Sequence, residues 1–172
     1  MQTPQRGFTL LELMITVAVL AILLSLGVPS FAETIRNNRV AAQTNELVTA
    51  LSLARSEASK RGMPVSVCAG ATACGGAAES DWNTGWQVFT DLDGTAGQLD
   101  GGDLLLMTSP AVVNQISVTS NNVGFVRFRA DGSLMNANAI LLSVSHQNCT
   151  GINKREVSMV ASGRVSMTKV AC

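Results

Sequence analysis

The chain opens with one long apolar stretch, and shorter patterns follow it. From Phe8 to Phe31 the only formal charge is Glu12. Such a run is long enough to cross a hydrocarbon core of roughly 30 Å as a helix. A carboxylate inside it costs roughly 3 kcal/mol on insertion scales. We therefore predict a membrane-spanning helix over residues 8–31 in which Glu12 needs a partner.

Beyond this stretch the pattern becomes that of an amphipathic helix. From Glu33 to Arg61, apolar residues recur at spacings of three and four. We expect Pro29 to kink the helix but not to end it, because proline removes one backbone donor. Gly62 and Pro64 should end it. The predicted apolar side consists of Ile35, Ala42, Leu47, Leu51, Ala54 and Ala58.

The rest of the chain reads as short β-strands separated by Gly, Asn and Asp. Two turns are marked, Ala130-Asp131-Gly132 after Arg129 and Ala161-Ser162-Gly163 between the last two strands. The apolar face of a sheet must be covered, and the amphipathic helix is the available partner. The predicted fold class is α+β, one long N-terminal helix packed on antiparallel β-sheet. The predicted strands are Val65–Ala69, Trp86–Thr90, Leu104–Thr108, Ile116–Thr119, Phe125–Arg129, Ile140–Ser145, Glu156–Val160 and Arg164–Val170.

The length and net charge of the chain limit the number of domains and give no sign of a particular partner. With 172 residues, the chain has room for one domain besides the N-terminal segment. Twelve basic and twelve acidic side chains give a formal charge of zero. No global charge therefore points to nucleic acid, and any basic patch must be local.

The four cysteines lie outside the apolar segment. In an exported domain they suggest two disulfides with three possible pairings, among which sequence alone does not choose. Proximity favours Cys68 with Cys74 and Cys149 with Cys172. A zinc site is the alternative, but the ligand spacings fit it badly and His146 is the only histidine.

The junction before the apolar run carries a family resemblance. Gly7-Phe8-Thr9-Leu10-Leu11-Glu12-Leu13 resembles the prepilin motif of type IV pilins. The resemblance implies a leader of residues 1–7, cleavage between Gly7 and Phe8 by a prepilin peptidase, and N-methylation of Phe8. The new amine would be the counter-charge of Glu12 on a neighbouring subunit, because paired charges at membrane depth cost far less than isolated ones.

A secretory signal peptide is the competing interpretation of this segment. It would be cut after its apolar region, where Ser25-Leu26-Gly27 imitates a cleavage site. Neither a signal peptide nor a plain membrane anchor accounts for a glutamate five residues past a glycine.

Three further segments resemble those of minor pilins and pseudopilins of the FimT/GspH class. They are Leu53-Ala54-Arg55-Ser56-Glu57-Ala58, Gly85-Trp86-Gln87-Val88-Phe89-Thr90-Asp91 with the loop that follows it, and Ser162-Gly163-Arg164. The class has one long N-terminal helix packed on β-sheets, and it implies a filament-core segment at residues 8–31 and a periplasmic domain at residues 32–172. The implied location is the bacterial inner membrane, as a single-pass protein, and then an extracellular pilus or a periplasmic pseudopilus. The implied partners are other major and minor pilins, contacted through the N-terminal helix, and the prepilin peptidase.

Catalysis and cofactors are not expected. The chain has no nucleophile-elbow or phosphate-loop pattern, and no general base with a nucleophile beside it. His146 lies near Cys149, but a disulfide is the expected use of that cysteine. The loop after Thr90 is a weaker candidate for a cation site, because hard cations favour several oxygen ligands, although Asp and Gly are also ordinary turn residues. Its candidate ligands are Asp91, Asp93, Asp100 and Asp103.

DNA capture is the sharper binding hypothesis. In the FimT branch a C-terminal Gly-Arg-x-Arg element is implicated in capturing DNA for natural transformation. Here the corresponding stretch is Gly163-Arg164-Val165-Ser166, so only the first arginine matches. Other cations could give weak, salt-sensitive binding of double-stranded DNA through its phosphates. Those candidates are Lys154, Arg155 and Lys169 near the same hairpin, and Arg127 and Arg129, which we expect to share the outer face of one strand.

The sequence thus predicts a structural subunit, a minor pilin of a type IV pilus. A pseudopilin of a type II secretion system is the alternative within the structural class. DNA binding by the exposed hairpin would add a function to the first reading.

Overall fold

The computed structural model describes residues 7–72, 74, 81–92, 95–112, 115–136 and 138–172, and the side chains of residues 26–30 lie outside that description. The chain divides into two compact units, one that ends at Arg36 and one that spans Asn37–Cys172. The predicted leader, residues 1–7, lies outside the description except for Gly7.

One helix, α1 (Leu10–Arg61), occupies most of the first unit and continues into the second. It passes position 29 without ending, as expected for a proline that does not terminate the helix. In the part of the chain that the structure describes, no helix combines the length and the apolar character needed to cross a membrane. The predicted segment Phe8–Phe31 includes the residues whose side chains are not described.

All eight predicted strands form, with limits within two residues of those expected. The 3₁₀ turn Trp82–Thr84 was not predicted. In the described chain the strands are β1 (Val65–Ala69), β2 (Trp86–Thr90), β3 (Leu105–Ser109), β4 (Ile116–Ser120), β5 (Phe125–Phe128), β6 (Ile140–His146), β7 (Lys154–Met159) and β8 (Val165–Val170).

The strands form two antiparallel sheets, with the orders β3-β2-β1-β5 and β4-β6-β7-β8. The predicted turn between β7 and β8 is present, since the Gly163 N–H donates to the Val160 carbonyl at 2.8 Å. The other turn, after Arg129, is also present, since the Gly132 N–H donates to the Arg129 carbonyl at 2.8 Å, and an isolated bridge joins Phe128 and Leu134 beside it. The chain then crosses to the second sheet, so this turn does not join two paired strands.

One face of α1 and the inner faces of both sheets share the main core. The predicted helix positions Leu47, Leu51, Ala54 and Ala58 are fully buried. Ile35 and Ala42 were assigned wrongly, because both side chains are exposed. Residues at the start of the buried face are instead Val40, Gln43 and Thr44, and Thr44 satisfies its hydroxyl by donating to the Val40 carbonyl at 2.6 Å.

The first sheet also has a covered outer face. Strands β1 and β2 are buried along their whole length, because alternate side chains enter a second, smaller core. That core contains Cys68, Cys74, Phe89, Leu99 and Phe125. Leu99 comes from the Asp-rich loop, so this loop packs on the sheet.

A buried ion pair anchors the same loop. The carboxylate of Asp91 has no exposed surface and lies 3.1 Å from Nη2 of Arg127, whose side chain is 16% exposed. The Gly97 N–H donates to the same carboxylate at 2.8 Å, and the Ser66 hydroxyl also donates to it. Strands β1 and β5 and the loop are thus tied to one carboxylate.

We predict that Asp91→Asn lowers the free energy of unfolding by about 3 kcal/mol, because it leaves the Arg127 guanidinium buried without its counter-charge. Urea denaturation followed by the fluorescence of Trp82 and Trp86, both fully buried, measures the change.

The matched control is Asp103→Asn. Asp103 accepts hydrogen bonds from the Leu92 N–H at 3.1 Å and the Asp100 N–H at 3.0 Å, and its variant should lose about 1 kcal/mol. Equal losses in the two variants would show that the ion pair stabilises the domain no more than the hydrogen bonds of Asp103 do.

Candidate assembly segment and surface sites

The candidate assembly segment, residues 8–31, begins with a helix cap. The backbone N–H of Glu12 donates to Thr9 Oγ1 at 3.2 Å, and the N–H of Leu13 donates to the Thr9 carbonyl at 3.2 Å. Thr9 is therefore the N-cap, and Thr9-x-x-Glu12 has the spacing of a capping box. This pattern was present in the sequence, and our assignment of Glu12 to subunit pairing alone overlooked it.

The apolar side chains that follow the cap are open to their surroundings. Phe8 is 75% exposed, and every large apolar side chain described between Leu10 and Leu24 is at least half exposed. Apolar surface of this extent calls for lipid or other apolar helices around it. Gly7 precedes the expected cleavage point, and no other atom of the described chain lies within 4 Å of the position that a Cβ would occupy there.

Both disulfides form in the arrangement that proximity favours. Cys68 is joined to Cys74, and Cys149 to Cys172. The second bond holds the last residue against the start of the last hairpin, where the Cys172 N–H also donates to the Gly151 carbonyl at 3.0 Å. His146 is buried close by, and its Nδ1 accepts a hydrogen bond from the Asn148 N–H at 3.0 Å, which is a structural use of the ring.

The Asp-rich loop uses its described carboxylates internally. Asp91 faces Arg127, Asp100 accepts from the Thr95 N–H at 3.1 Å, and Asp103 accepts from two backbone N–H groups. Asp93 lies outside the described residues. Among the residues that are described, no group of three or more possible ligands could hold a metal ion.

The cations predicted to bind DNA do not form one cluster. In the β7–β8 hairpin, Arg155 lies opposite Lys169, whereas Met159 lies opposite Val165, next to Arg164. Four residues of strand separate these two ends by about 13 Å. Arg164 is therefore at the closed end of the hairpin, and Arg155 and Lys169 are at its open end with Lys154, which pairs with Glu156 at 3.1 Å.

Arg127 lies on the outer face of its strand, as predicted, but it is not available to DNA because that face is covered. Its side chain enters the covered outer face of the first sheet, where Asp91 neutralises it. Arg129 is exposed, but its Nη1 donates to the Leu134 carbonyl at 2.9 Å. The loop that covers this face, which strand alternation does not reveal, removes Arg127 from the surface.

At the closed end, Arg55 of α1 joins two turns. Its Nε donates to the Gly132 carbonyl and its Nη2 to the Ser162 carbonyl, both at 3.2 Å. Gly163 has a φ of 73°, and a Cβ there would collide with the Gly132 carbonyl oxygen. Arg55 thus binds two turns that lie very close together, and a glycine in each turn leaves room for this approach.

A polar groove lies beside this contact. It encloses about 460 Å³, and Arg164 is exposed at its margin. Guanidinium and hydroxyl donors on one surface suit an anionic group. Two nearby carboxylates are engaged elsewhere: hydrogen bonds from Arg61 and from the Ser133 hydroxyl lower the pKa values of Glu57 and Asp131 respectively. The groove is lined by Ser52, Arg55, Ser56, Ser59, Arg164 and Val165.

Comparison with known families identifies the class of protein to which this chain belongs. The family model described as type II transport protein GspH matches residues 43–163. The chain belongs to the GspH family. A second model, the prokaryotic N-terminal methylation motif, matches residues 3–28. Together with the fold, these matches make it a type IV pilin-like structural protein of the FimT/FimU/GspH class.

Solved structures agree with this assignment at the level of the fold. Two crystal forms of the type IV minor pilin FimU of Pseudomonas aeruginosa (strain PAO1) are similar to this GspH-family chain. The P21 form has a TM-score of 0.58 at 18% identity, covering 80% of this chain and 92% of that chain. The P65 form has a TM-score of 0.56 at 21% identity, covering 74% and 91%. No curated protein sequence matches the chain.

We predict that Gly163→Ala destabilises the domain by about 2–3 kcal/mol, because it adds a steric collision to the strain of a positive φ. Thermal unfolding followed by tryptophan fluorescence measures the loss.

Gly151→Ala is the control. Gly151 has a φ of 65° but no atom within 4 Å of its missing Cβ, so this variant should lose only about 1 kcal/mol. If the two variants lose the same, the approach of the Gly132 carbonyl contributes nothing.

Proposed function

We propose that this GspH-family chain is a minor pilin of a type IV pilus, a structural subunit that is held in the bacterial inner membrane and then incorporated into the filament. The match of residues 3–28 to the N-terminal methylation motif carries the proposal. On this proposal the segment Phe8–Phe31 spans the inner membrane first and later packs among the helices of other major and minor pilins. Residues 32–172 form the periplasmic domain.

Processing precedes assembly in this proposal. A prepilin peptidase cleaves between Gly7 and Phe8, and Phe8 is then N-methylated. Gly7, Phe8 and Thr9 precede the helix and are exposed, which suits the extended backbone that peptidases generally bind. After cleavage the amine of Phe8 is a positive charge that can pair with Glu12 of a neighbouring subunit and set the register between them.

We predict that Glu12→Ala and Glu12→Gln both leave membrane insertion intact and both reduce incorporation into filaments by at least tenfold. The coupling energy of a desolvated ion pair in favourable geometry exceeds about 1.4 kcal/mol, which corresponds to a factor of ten. Immunoblots of sheared filaments and of membranes measure the two fractions.

The glutamine variant separates the two roles of this residue. Gln also serves in a capping box, so it keeps the helix start and removes only the charge. Normal incorporation of Glu12→Gln together with failure of Glu12→Ala would overturn the register argument in favour of capping.

A pseudopilin of a type II secretion system is the alternative, and the matched family model is the observation that favours it. Both assignments use the same helix and sheets. A deletion strain scored for twitching and for secretion of exoproteins separates them. Loss of secretion with normal twitching would replace our proposal with the alternative.

DNA capture is a second candidate function. The exposed Arg164 beside a groove with a second arginine and three serines supports it. Because only a few cations are available, binding would be weak, independent of sequence and sensitive to salt. Loss of natural transformation in the deletion strain would be genetic support for DNA capture.

We predict that Arg164→Ala weakens retention of double-stranded DNA at all sequences and lowers the salt slope of binding by about one. Lys169→Ala, at the other end of the hairpin, should have less effect, and the double variant tests whether both ends contribute. Electrophoretic mobility shifts at several salt concentrations measure both quantities. Unchanged retention and slope in the double variant would remove the DNA function from this hairpin.

A further inference from the structure

Four strands of the described chain lie at sheet edges, β3 and β5 in the first sheet and β4 and β8 in the second. The outward backbone N–H and C=O groups of an edge strand are a template for pairing with another strand, so natural proteins usually cover or interrupt them. The four edges of this domain differ in how those groups are satisfied.

The edges of β4 and β5 are closed by asparagine side chains. The Val118 N–H in β4 donates to Asn83 Oδ1 at 2.8 Å. In β5 the Arg127 N–H donates to Asn136 Oδ1 at 2.9 Å, and Asn136 Nδ2 donates to the Phe125 carbonyl at 3.2 Å. Each amide occupies the place of a neighbouring strand, so no further strand can add at these positions.

The edges of β3 and β8 have no such closure in the described ranges. Their N–H groups donate to no residue outside β2 and β7, the strands with which they pair. The stretch from Leu104 to Ser109 contains no charge and no proline, the residues that commonly protect an edge. A shift of register with β2 beside Leu105 does interrupt β3, but the pairing is regular again from Met107. Both edges are therefore open to an added strand.

Apolar side chains at these edges are also exposed. Leu104 is 51% exposed and Leu105 is 45% exposed, while Met167 in β8 is 43% exposed. An added strand would cover part of this surface, and burial of apolar area favours association.

The charges beside the two open edges determine which edges can meet. Asp100 and Asp103 precede β3, whereas Arg164 precedes β8 and Lys169 lies near its end. Two copies of β8 side by side would bring cations together, and two copies of β3 would bring carboxylates together; like charges in such positions destabilise a sheet. Pairing of β3 with β8 brings opposite charges together. Within one chain these strands belong to different sheets, so the pairing joins two copies.

We propose that β3 of one copy of this chain adds antiparallel to β8 of a second copy. Antiparallel pairing is slightly more stable per residue than parallel pairing. It sets the start of β3 against the end of β8, where Asp103 and Lys169 of the second copy have opposite charges. The contact is heterologous, because it joins two different surfaces, and such a contact extends into a filament when it does not close into a ring. The inference goes beyond the proposed function and applies equally to a pilus and to a pseudopilus.

The test uses the full chain produced in bacterial cells, with photoreactive benzoylphenylalanine in place of Thr108. The side chain of Thr108 is exposed near the end of β3, which antiparallel addition sets against the start of β8. Irradiation should give a covalent dimer of the chain. Trypsin cleaves after Arg164 and after Lys169, so mass spectrometry should map the cross-link to the peptide Val165–Lys169 of the second copy.

Two variants test the edges themselves. Leu105→Lys places on β3 a lysine of the kind that protects natural edges, and Lys169→Glu brings carboxylates together. Each should lower the yield of dimer about threefold, the effect of a change from opposite to like charges across a strand pair. The new carboxylate at position 169 would face Arg155 in its own hairpin, so the hairpin itself should not be destabilised.

Arg155→Gln is the matched control. Arg155 lies at the same end of the hairpin as Lys169 but on β7, the inner strand. This variant removes a nearby positive charge without changing the edge, so it should keep the yield of dimer.

The same experiment can contradict the proposal in several ways. Absence of a dimer after irradiation would remove it. A cross-link to β3 of the second copy would show that like edges meet, and a cross-link to a different protein would assign the edge of β3 to another partner. A yield that is unchanged in both Leu105→Lys and Lys169→Glu would show that strand addition does not form the dimer.

Discussion

The buried face of α1 between Leu47 and Ala58 is the surface on which both sheets depend. Its leucines and alanines have no exposed surface and share one core with strands of each sheet. The two sheets are separate in their strand pairing, so hydrogen bonds between strands do not hold one sheet to the other. Each has an apolar face that must be covered. Because alanine side chains are small, the strands can pack closely on the helix at the density of a protein interior.

Arg55 extends this packing into a polar contact at the margin of the core. It follows the buried Ala54 directly, and it bonds the carbonyls of two turns that come from different parts of the chain. Gly163 lets those turns approach each other. Arg164 is therefore attached to a backbone held by the helix, and a cation on rigid backbone loses less entropy on binding than one on a mobile loop.

Most of the architecture was predictable because local patterns and packing agree. The limits of β1 and β2 were predicted correctly, since both strands are short runs rich in β-forming residues with turn residues on either side. Ile35 and Ala42 were misplaced because apolar character alone was used to extend the helical period, whereas the polar Thr44 can be buried because its hydroxyl donates to the Val40 carbonyl.

The site was less predictable, for two physical reasons. Strand alternation indicates that Arg127 and Arg129 share a face, but it does not indicate that a distant loop covers that face and supplies Asp91. Likewise, the sequence places four cations near one hairpin, but only the register of β7 and β8 shows that Arg164 and Lys169 occupy opposite ends. The cap at Thr9 is a different case, because its signal was local and was available in the sequence.

The separation of the hairpin cations limits what the proposed DNA capture can use. Arg164 lies about 13 Å along the strands from Arg155 and Lys169, so one phosphate cannot contact both ends. Binding at the closed end would therefore depend on Arg164 and the donors of the groove beside it. So few cations give weak, salt-sensitive binding, and their main effect would be to accelerate encounter and to fix orientation.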